Sequence, residues 1–243
     1  MANVMNVAAI AMGLEMRRVE TVAHNLSNAT TPGFKRQLDG ALSATAASAA
    51  VIAGPDDEHP VGVSARPVTD FSEGKLSRTE NPLHLALSGP GFFAVRMGNE
   101  IAFTRGGAFT RDAEGRLITP QGGVLQADGG DLAVRSDAFR IGVDGTVIEE
   151  QRPVARVTVV DFQDRSRLER SHGGAFRGPG AEPTRVEDPV VRQGFLEMGN
   201  VDLGHEMVRM MEAFRRFEMN QRLIQGHDDM IGGAVRRLGD LQT

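Results

Sequence analysis

Few residues in this sequence have the type and spacing that catalysis or metal binding requires. His205-Glu206 begins the pattern of a zinc protease, but Arg209 stands where the second imidazole ligand would be. The stretch His227-Asp228-Asp229 offers nitrogen and oxygen ligands, yet a solvated helix face accounts for it more simply. The other histidines, at positions 24, 59, 84 and 172, lack metal-ligand spacing. We therefore predict no catalytic, cofactor-binding or metal-binding residues.

Composition narrows the class of protein further. The chain has 243 residues, of which 40% are hydrophobic, a formal net charge of -5 and no cysteine. This length suits one large domain or two smaller ones, and acidity without a basic patch argues against a nucleic-acid-binding protein. No apolar run approaches the roughly 18 residues of a membrane span, and the apolar start lacks the basic region and cleavage site of a secretory signal. The absence of Cys excludes disulfides and thiolate metal sites.

Residues 1–36 are predicted to form a helix that ends in a turn. Apolar residues recur every three or four positions, and Glu15 is the one polar residue in that register. The helix should stop between Leu26 and Ala29, because the Asn and Ser side chains there compete for backbone hydrogen bonds and Pro32-Gly33 forbids continuation. The apolar positions are Met5, Ala8, Met12, Val19, Val22 and Leu26.

Residues 37–67 are predicted to be a variable arm or loop. The stretch 41–54 is rich in Ala and Ser, and a polar segment bounded by prolines follows at 55–60. The sequence leaves open whether this arm is a short helix, an extended segment or a loop.

Residues 68–192 change to the pattern of short strands. Residues 101–104 are predicted to form a hairpin with 108–110, and Asp144-Gly145 lies between two further strand segments. The Val-rich stretch 156–162 is the strongest single strand signal. Short strands separated by Gly and Asp-Gly turns predict an antiparallel all-β domain.

Residues 193–243 return to helical periodicity. Apolar residues follow unbroken steps of four and three, with only Gln221 and Asp228 polar, and Asp202 is a suitable N-cap. Such a stripe needs a partner in water, and the only comparable stripe lies at the N-terminus. We therefore predict an α+β fold in which the N- and C-terminal helices pair as a coiled-coil-like layer, with an antiparallel all-β domain inserted between them in the sequence. The stripe consists of Leu203, Met207, Met210, Phe214, Phe217, Ile224, Ile231, Val235 and Leu238.

Three motifs resemble, in order, signatures of the flagellar rod and hook protein family. The first has the pattern Asn-Leu-x-Asn-x-x-Thr-x-Gly-Phe-Lys and consists of Asn25, Leu26, Asn28, Thr31, Pro32, Gly33, Phe34 and Lys35. The second joins Gly-x-Gly-Phe-Phe to Thr-Arg-x-Gly-x-Phe and consists of Gly89, Gly91, Phe92, Phe93, Thr104, Arg105, Gly107 and Phe109. The third precedes the C-terminal helix and consists of Gly194, Leu196, Glu197, Asn200 and Val201, with Gly199 where Ser is usual.

This resemblance implies a structural subunit of the bacterial flagellar basal-body rod. Members of the family polymerise helically through their terminal helices and transmit torque from the motor to the hook. They leave the cytoplasm unfolded through the flagellar type III system and form the periplasmic rod. The implied partners are other rod subunits and the export apparatus, with no cofactor, nucleic acid or membrane insertion.

The stretch Arg215-Arg216-Phe217-Glu218-Met219 favours a proximal rod member, because distal members more often carry Gln-Arg-Ala-Tyr-Glu at this place. The distal rod protein, or another flagellar axial protein, is the alternative within the family. A soluble β-domain hydrolase with helical dimerisation arms is an alternative from a different class. That alternative needs a convergent acid–base or metal cluster, which the sequence does not offer.

Overall fold

A computed structural model describes residues 2–40, 67–136 and 138–239, so most of the predicted variable arm lies outside the described residues. Helix α1 spans Ala2–Ser27 and helix α2 spans Leu203–Gly239. The end of α1 confirms the predicted stop between Leu26 and Ala29. The predicted N-cap is also confirmed, because Asp202 Oδ1 accepts a hydrogen bond from the His205 backbone N–H at 3.1 Å.

The chain divides into two compact units. Where described, the helical unit consists of residues 1–27, 37–68 and 202–243, and the β unit consists of residues 28–36 and 69–201. This division differs from the sequence-based boundaries, which grouped residues 28–36 with the N-terminal helix and 193–201 with the C-terminal helix. Both segments belong to the β unit because their hydrogen bonds and buried side chains lie there.

Helices α1 and α2 make the most extensive contact in the helical unit. Among the α2 side chains that the structure describes, Glu206 and Ala213 are buried, and Met210 and Phe217 are half-buried beside them. These positions recur at steps of three and four, as expected for one helix face. The buried residues of α1 include Glu15, so this carboxylate lies in the packed face of the helix.

The strands are short. They are β1 (Gln37–Leu38), β2 (Val68–Thr69), β3 (Leu76–Arg78), β4 (Leu85–Ser88), β5 (Phe92–Met97), β6 (Glu100–Thr104), β7 (Thr110–Arg111), β8 (Leu117–Ile118), β9 (Val124–Ala127), β10 (Gly130–Asp131), β11 (Phe139–Ile141), β12 (Thr146–Glu149), β13 (Arg152–Arg156), β14 (Val159–Asp161), β15 (Glu169–Arg170), β16 (Phe176–Arg177), β17 (Thr184–Arg185), β18 (Val190–Gln193) and β19 (Phe195–Glu197). Two 3-10 turns lie at Arg165–Arg167 and His172–Gly174.

The described strand pairs within the β unit are antiparallel. A ten-stranded sheet runs β15-β16-β6-β5-β9-β8-β7, with β10 beside β9, β14 beside β5 and β17 beside β14. A three-stranded sheet has the order β11-β12-β13, and two further pairs are β18 with β4 and β19 with β3. The α+β class with an antiparallel β domain is therefore confirmed.

The predicted hairpin between residues 101–104 and 108–110 is wrong. Strand β6 pairs instead with β5, with Met97 opposite Glu100, and with β16, whereas β7 pairs with β8. After β6 the chain does not form a hairpin with β7, because its backbone pairs with the segment around β4. Leu85 N–H donates to Gly107 O at 3.0 Å, and Ala108 forms a bridge with His84.

Asp144-Gly145 lies between two strands as predicted, and these strands, β11 and β12, pair as a hairpin. The single strand predicted at 156–162 is divided into β13 and β14, which belong to different sheets. Between them, Val157 N–H donates to Gly145 O and Thr158 N–H donates to Gln126 O, both at 2.9 Å. This segment therefore passes from one sheet to the other.

Two hydrophobic cores fill the β unit. The larger core contains Leu85, Phe93 and Phe109, and the rings of Phe93 and Phe109 meet edge to face with centroids 5.6 Å apart. The smaller core surrounds Phe92 and Phe176. Adjacent residues of β5 therefore point into different cores, as the alternation of a strand requires.

Candidate functional site

The first motif enters the β unit as a tight turn. Thr31 N–H donates to Asn28 O at 3.0 Å, and Phe34 N–H donates to Thr31 O at 3.2 Å. Gly33 has φ +71°, and its N–H donates to Glu197 O at 2.7 Å. A Cβ at this position would lie 2.1 Å from the Gly106 backbone nitrogen. Only glycine therefore allows the first motif to approach the second and third so closely.

Lys35 and Glu197 form a buried ion pair between the first and third motifs. Lys35 Nζ lies 2.6 Å from Glu197 Oε1, and both side chains are 1% exposed. Lys35 Nζ also donates to Ser72 O at 2.6 Å, and Gly74 N–H donates to Glu197 Oε1 at 3.0 Å. Burial lowers the pKa of Lys35, and the attraction of Glu197 opposes that change.

Arg105 brings the second motif to the same carboxylate. Its Nε lies 3.6 Å from Glu197 Oε2, and its Nη2 donates to Gly89 O at 2.6 Å. The Arg105 side chain is buried, and this burial lowers the pKa of its guanidinium, with Glu197 acting in the opposite direction. Each motif therefore contributes one residue to a single buried ion cluster, in which Lys35 and Arg105 both face Glu197.

Arg170 adds a third cation near this cluster. Its Nη2 donates to Lys35 O, and its guanidinium carbon lies 4.9 Å from the ring centroid of Phe34 and 5.3 Å from that of Phe176. Burial lowers the pKa of Arg170. Cation–π contacts at such distances stabilise a desolvated guanidinium by about 1–2 kcal/mol. Arg170 therefore links the backbone at Phe34-Lys35 to the smaller core, which contains Phe176.

Asn200 fixes the first motif from its other side. Its Oδ1 accepts from Arg36 N–H at 2.7 Å, its Nδ2 donates to Asp70 O at 2.9 Å, and its backbone N–H donates to Phe34 O at 3.3 Å. The neighbouring Gly199 has no room for a side chain, because a Cβ there would lie 2.9 Å from Ala29 O. The departure from the usual Ser at Gly199 thus removes a close contact.

The glycines and aromatic residues of the second motif shape the β unit itself. Gly89 and Gly91 have φ values of +97° and +120°, which glycine adopts without strain. A Cβ at Gly107 would lie 1.5 Å from Leu85 O, so glycine is required where β4 passes. Thr104 Oγ1 accepts from Gly106 N–H at 2.9 Å and closes the turn that carries Arg105.

Asn25, the first residue of the first motif, has a separate role in the helical unit. Its Oδ1 accepts from Gln37 N–H and its Nδ2 donates to Gln37 O, both at 2.8 Å. Nδ2 also lies 3.3 Å from Glu206 Oε2, and both Asn25 and Glu206 are fully buried. One amide therefore joins α1, β1 and α2.

The residues of the predicted apolar stripe of α2 differ in how far their side chains are exposed. Met210, Phe217 and Ile224 are half-buried, whereas Leu203, Met207 and Phe214 are 47%, 55% and 47% exposed. The side chains of three further stripe residues lie outside those described, namely Ile231, Val235 and Leu238. Other exposed apolar residues of α2 are Val208, Met211, Met219, Leu223 and Met230.

Most of the remaining motif residues are buried or half-buried. Leu196 is buried, and Leu26, Thr31, Pro32 and Val201 are half-buried. Gly194 has φ +80°, and its N–H donates to His84 O at 2.8 Å.

Sequence reasoning missed several charged residues of these clusters. Arg170 and Asp70 lie in strand and loop patterns where a charge normally faces water, so no sequence signal distinguished them. In the helical unit, Asp39 is held by Arg209 at 2.8 Å, and Arg209 also lies 3.4 Å from Glu206. The spacing of Glu206 and Arg209 by three positions does permit a pair on one helix face.

The arrangement holds distant parts of the chain together and presents apolar side chains to solvent. Among the described residues, no three His, Asp or Glu side chains gather where they could bind a metal ion. Within the same residues, neither helix is long and apolar enough to cross a bilayer.

Comparison with protein families finds three matches along the chain. Residues 5–35 match the flagella basal body rod protein model, and residues 86–149 match the D1 domain of the flagellar hook protein FlgE/F/G. Residues 192–237 match the C-terminal model of the flagellar basal body rod FlgEFG protein. Each model includes one of the three motifs.

Individual relatives are similar over almost the whole chain. Flagellar basal-body rod protein FlgF of Escherichia coli (strain K12) is 32% identical over 234 residues, which cover 89% of this chain and 90% of the relative. FlgF of Caulobacter vibrioides is 29% identical, with 93% of each chain covered. Flagellar basal-body rod protein FlgG of Bacillus subtilis is 28% identical, with 90% of this chain and 92% of the relative covered.

Proposed function

This chain belongs to the family of flagellar basal-body rod proteins and is a structural subunit of the rod, and on that basis we propose its place in the rod and its partners. In the proposal, it is a proximal rod subunit of the FlgF type. It leaves the cytoplasm through the flagellar type III system and polymerises helically in the periplasm. Its direct partners are further copies of itself and neighbouring rod proteins.

The observation that carries the proposed assembly role is the set of exposed apolar side chains on α2. One face of this helix already packs on α1 through Ala213 and its neighbours. Leu203, Met207 and Phe214 remain about half exposed outside that face. A helix that is apolar on several faces is normally buried on several faces. These side chains therefore support burial against helices of other subunits.

We infer that the terminal helices of neighbouring subunits complete a coiled-coil-like layer. A contact between two different faces, repeated from subunit to subunit without closing, generates a helical filament. Torque is then carried by many packed interfaces, and no reactive group is needed. The β unit is stabilised separately, by the cluster of Lys35, Arg105 and Glu197.

Phe214→Asp tests the assembly role. Because Phe214 is half exposed, the substitution should leave the subunit folded but prevent incorporation into rods in motile cells, measured by the subunit content of purified basal bodies. Val143→Asp is the matched control, since Val143 is a 65% exposed apolar residue of the β unit. Normal incorporation of the Phe214 variant would contradict a role for this face in assembly.

The choice between a proximal and a distal subunit has its own test. The identity of 32% to a FlgF and the stretch at 215–219 favour the proximal role, whereas FlgG relatives at 28% identity make the distal rod protein the alternative. Expression of this chain should restore rods in cells that lack FlgF. Restoration only in cells that lack FlgG would reverse the assignment.

A further inference from the structure

Methionine supplies half of the exposed large apolar side chains of α2, among the side chains that the structure describes. These exposed α2 methionines are each more than half exposed and are Met207, Met211, Met219 and Met230. They share the helix surface with Leu203, Val208, Phe214 and Leu223. Elsewhere among the described side chains, Met16 of α1 is the one methionine that is also more than half exposed, and the half-buried ones are Met12, Met97, Met198 and Met210.

Helical spacing places the exposed α2 methionines on two sides of the helix. Met207 and Met211 are four residues apart and Phe214 follows three residues later, so these side chains lie on one side. Met219 lies on a second side, four residues before Leu223. In the free subunit the sulfur atoms on both sides are accessible to small solutes. In the proposed rod, the side that carries Phe214 is buried against a helix of another subunit.

Methionine is also the residue type of this chain that peroxides oxidise most readily, because the sequence contains no Cys, Trp or Tyr. A lone pair of the thioether sulfur attacks one oxygen of the peroxide, the O–O bond breaks and an S–O bond forms. With hydrogen peroxide, the second oxygen and both protons leave as water, so the sulfur loses two electrons and the peroxide gains them. The peroxide must reach the sulfur atom, and exposed thioethers therefore react before buried ones.

The product, a sulfoxide, is a polar group whose oxygen accepts hydrogen bonds. In the free subunit this oxygen remains in water, so the fold of α2 is little affected. Burial against an apolar surface leaves the oxygen without a donor, and that penalty weakens association by about tenfold for one buried sulfoxide. Leucine, valine and phenylalanine provide apolar surface without this sensitivity.

We propose that the exposed α2 methionines are a modification site at which peroxide oxidation blocks association of the free subunit. The inference rests on the proposed assembly role, because the sulfoxides act only where a second subunit buries this surface. A subunit already packed in the rod is protected, since its sulfur atoms are covered. The block is reversible, because methionine sulfoxide reductases restore the thioether.

Peptide mapping by mass spectrometry tests where the oxidation occurs. The full-length purified chain is treated with hydrogen peroxide, and we expect the exposed α2 methionines to be oxidised several times faster than Met97 and Met198. In purified basal bodies that contain the chain, oxidation of Met207 and Met211 should be several times slower than in the free chain. Equal rates at all methionines of the free chain would overturn the modification site.

Sedimentation velocity of the full-length chain tests the effect on association. Peroxide treatment should raise the concentration of half-association of the wild type by about tenfold or more, and methionine sulfoxide reductases should reverse the change. A variant with Leu at all four exposed α2 methionines keeps an apolar surface of similar volume. It should associate as the untreated wild type does, both before and after treatment.

Met16→Leu is the matched control, because it removes an exposed methionine of α1 and leaves those of α2 in place. This variant should remain as sensitive to peroxide as the wild type. Far-UV circular dichroism before and after treatment checks that the helices remain folded. Loss of association after treatment of the four-leucine variant would place the damage elsewhere and overturn the inference.

The outcomes separate this inference from the proposed function. Unchanged association of the oxidised wild type, with loss of association in Phe214→Asp, would overturn the modification site and leave the assembly role in place. Wild-type association by Phe214→Asp as well, or a wild-type chain that stays monomeric, would overturn the assembly role and this inference with it.

Discussion

At the scale of single residues, Glu197 is the carboxylate on which the three motifs depend. It accepts from Lys35 and Gly74 and faces Arg105, with 1% of its own side chain exposed. Removing one partner of a buried ion pair is far more costly than replacing both, because the remaining charge stays buried without compensation. Lys35 and Arg105 would be the charges left in this way.

Glu197→Gln should therefore lower the free energy of unfolding of the β unit by about 3–5 kcal/mol. Adding Lys35→Met to it should restore part of that loss, since one buried cation is removed as well. Urea unfolding followed by circular dichroism measures both effects. A double variant less stable than Glu197→Gln alone would show that Lys35 stabilises the fold without its carboxylate.

Lys35 also affects how stability depends on pH below 10.5. The chain has two lysines, the buried Lys35 and the exposed Lys75, and it has neither Tyr nor Cys. Burial lowers the pKa of Lys35 below its ordinary value of 10.5. Between the folded pKa and that value, the unfolded chain binds more protons than the folded chain, so the free energy of unfolding rises with pH.

We expect urea midpoints to increase with pH as the pH approaches 10.5, and Lys35→Met to remove this increase. Lys75→Met is the matched control and should retain it. A midpoint that instead decreases with pH in the wild type, and not in Lys35→Met, would mean that the attraction of Glu197 outweighs the effect of burial.

At the scale of elements, the faces of α2 differ in how far they are buried. Phe217 is half-buried on the side of α2 that carries the buried Ala213, whereas Phe214, one turn earlier, is 47% exposed. The apolar spacing predicted both residues for helix packing but could not assign either to a particular partner. Periodicity reports that a side of a helix is apolar, and a helix with several apolar sides leaves the choice open.

Phe217→Asp should lower the thermal unfolding midpoint of the helices in the monomer, because it places a charge in the α1–α2 contact. Phe214→Asp should leave that midpoint nearly unchanged, since the new carboxylate remains in water. Circular dichroism at low protein concentration measures both variants. Equal destabilisation by the two substitutions would contradict the observed division of the faces.

At the scale of the whole molecule, the β unit is completed by two segments that flank the helices in sequence. Residues 28–36 contribute Gly33 and Lys35, and residues 194–201 contribute Glu197 and Asn200. The Lys35–Glu197 pair joins positions 162 residues apart. The β unit therefore needs both ends of its segment of the chain.

A fragment of residues 28–201 should accordingly unfold cooperatively in urea. A fragment of residues 69–201 should not, because it retains Arg105 and Glu197 but lacks Lys35 and the turn at Gly33. Proton NMR dispersion of the two fragments provides the measurement. A well-dispersed spectrum from the shorter fragment would show that the first motif is not required for the β unit to fold.

The sequence alone determined the order of elements, because helical and strand periodicities and Pro-Gly breaks are local properties. It also determined the three motifs and the family they resemble. Their meeting around Glu197, the partner of β6 and the inclusion of residues 28–36 in the β unit were decided only by the tertiary structure. Such pairings depend on which distant backbone groups and charges satisfy one another, and local spacing does not encode that choice.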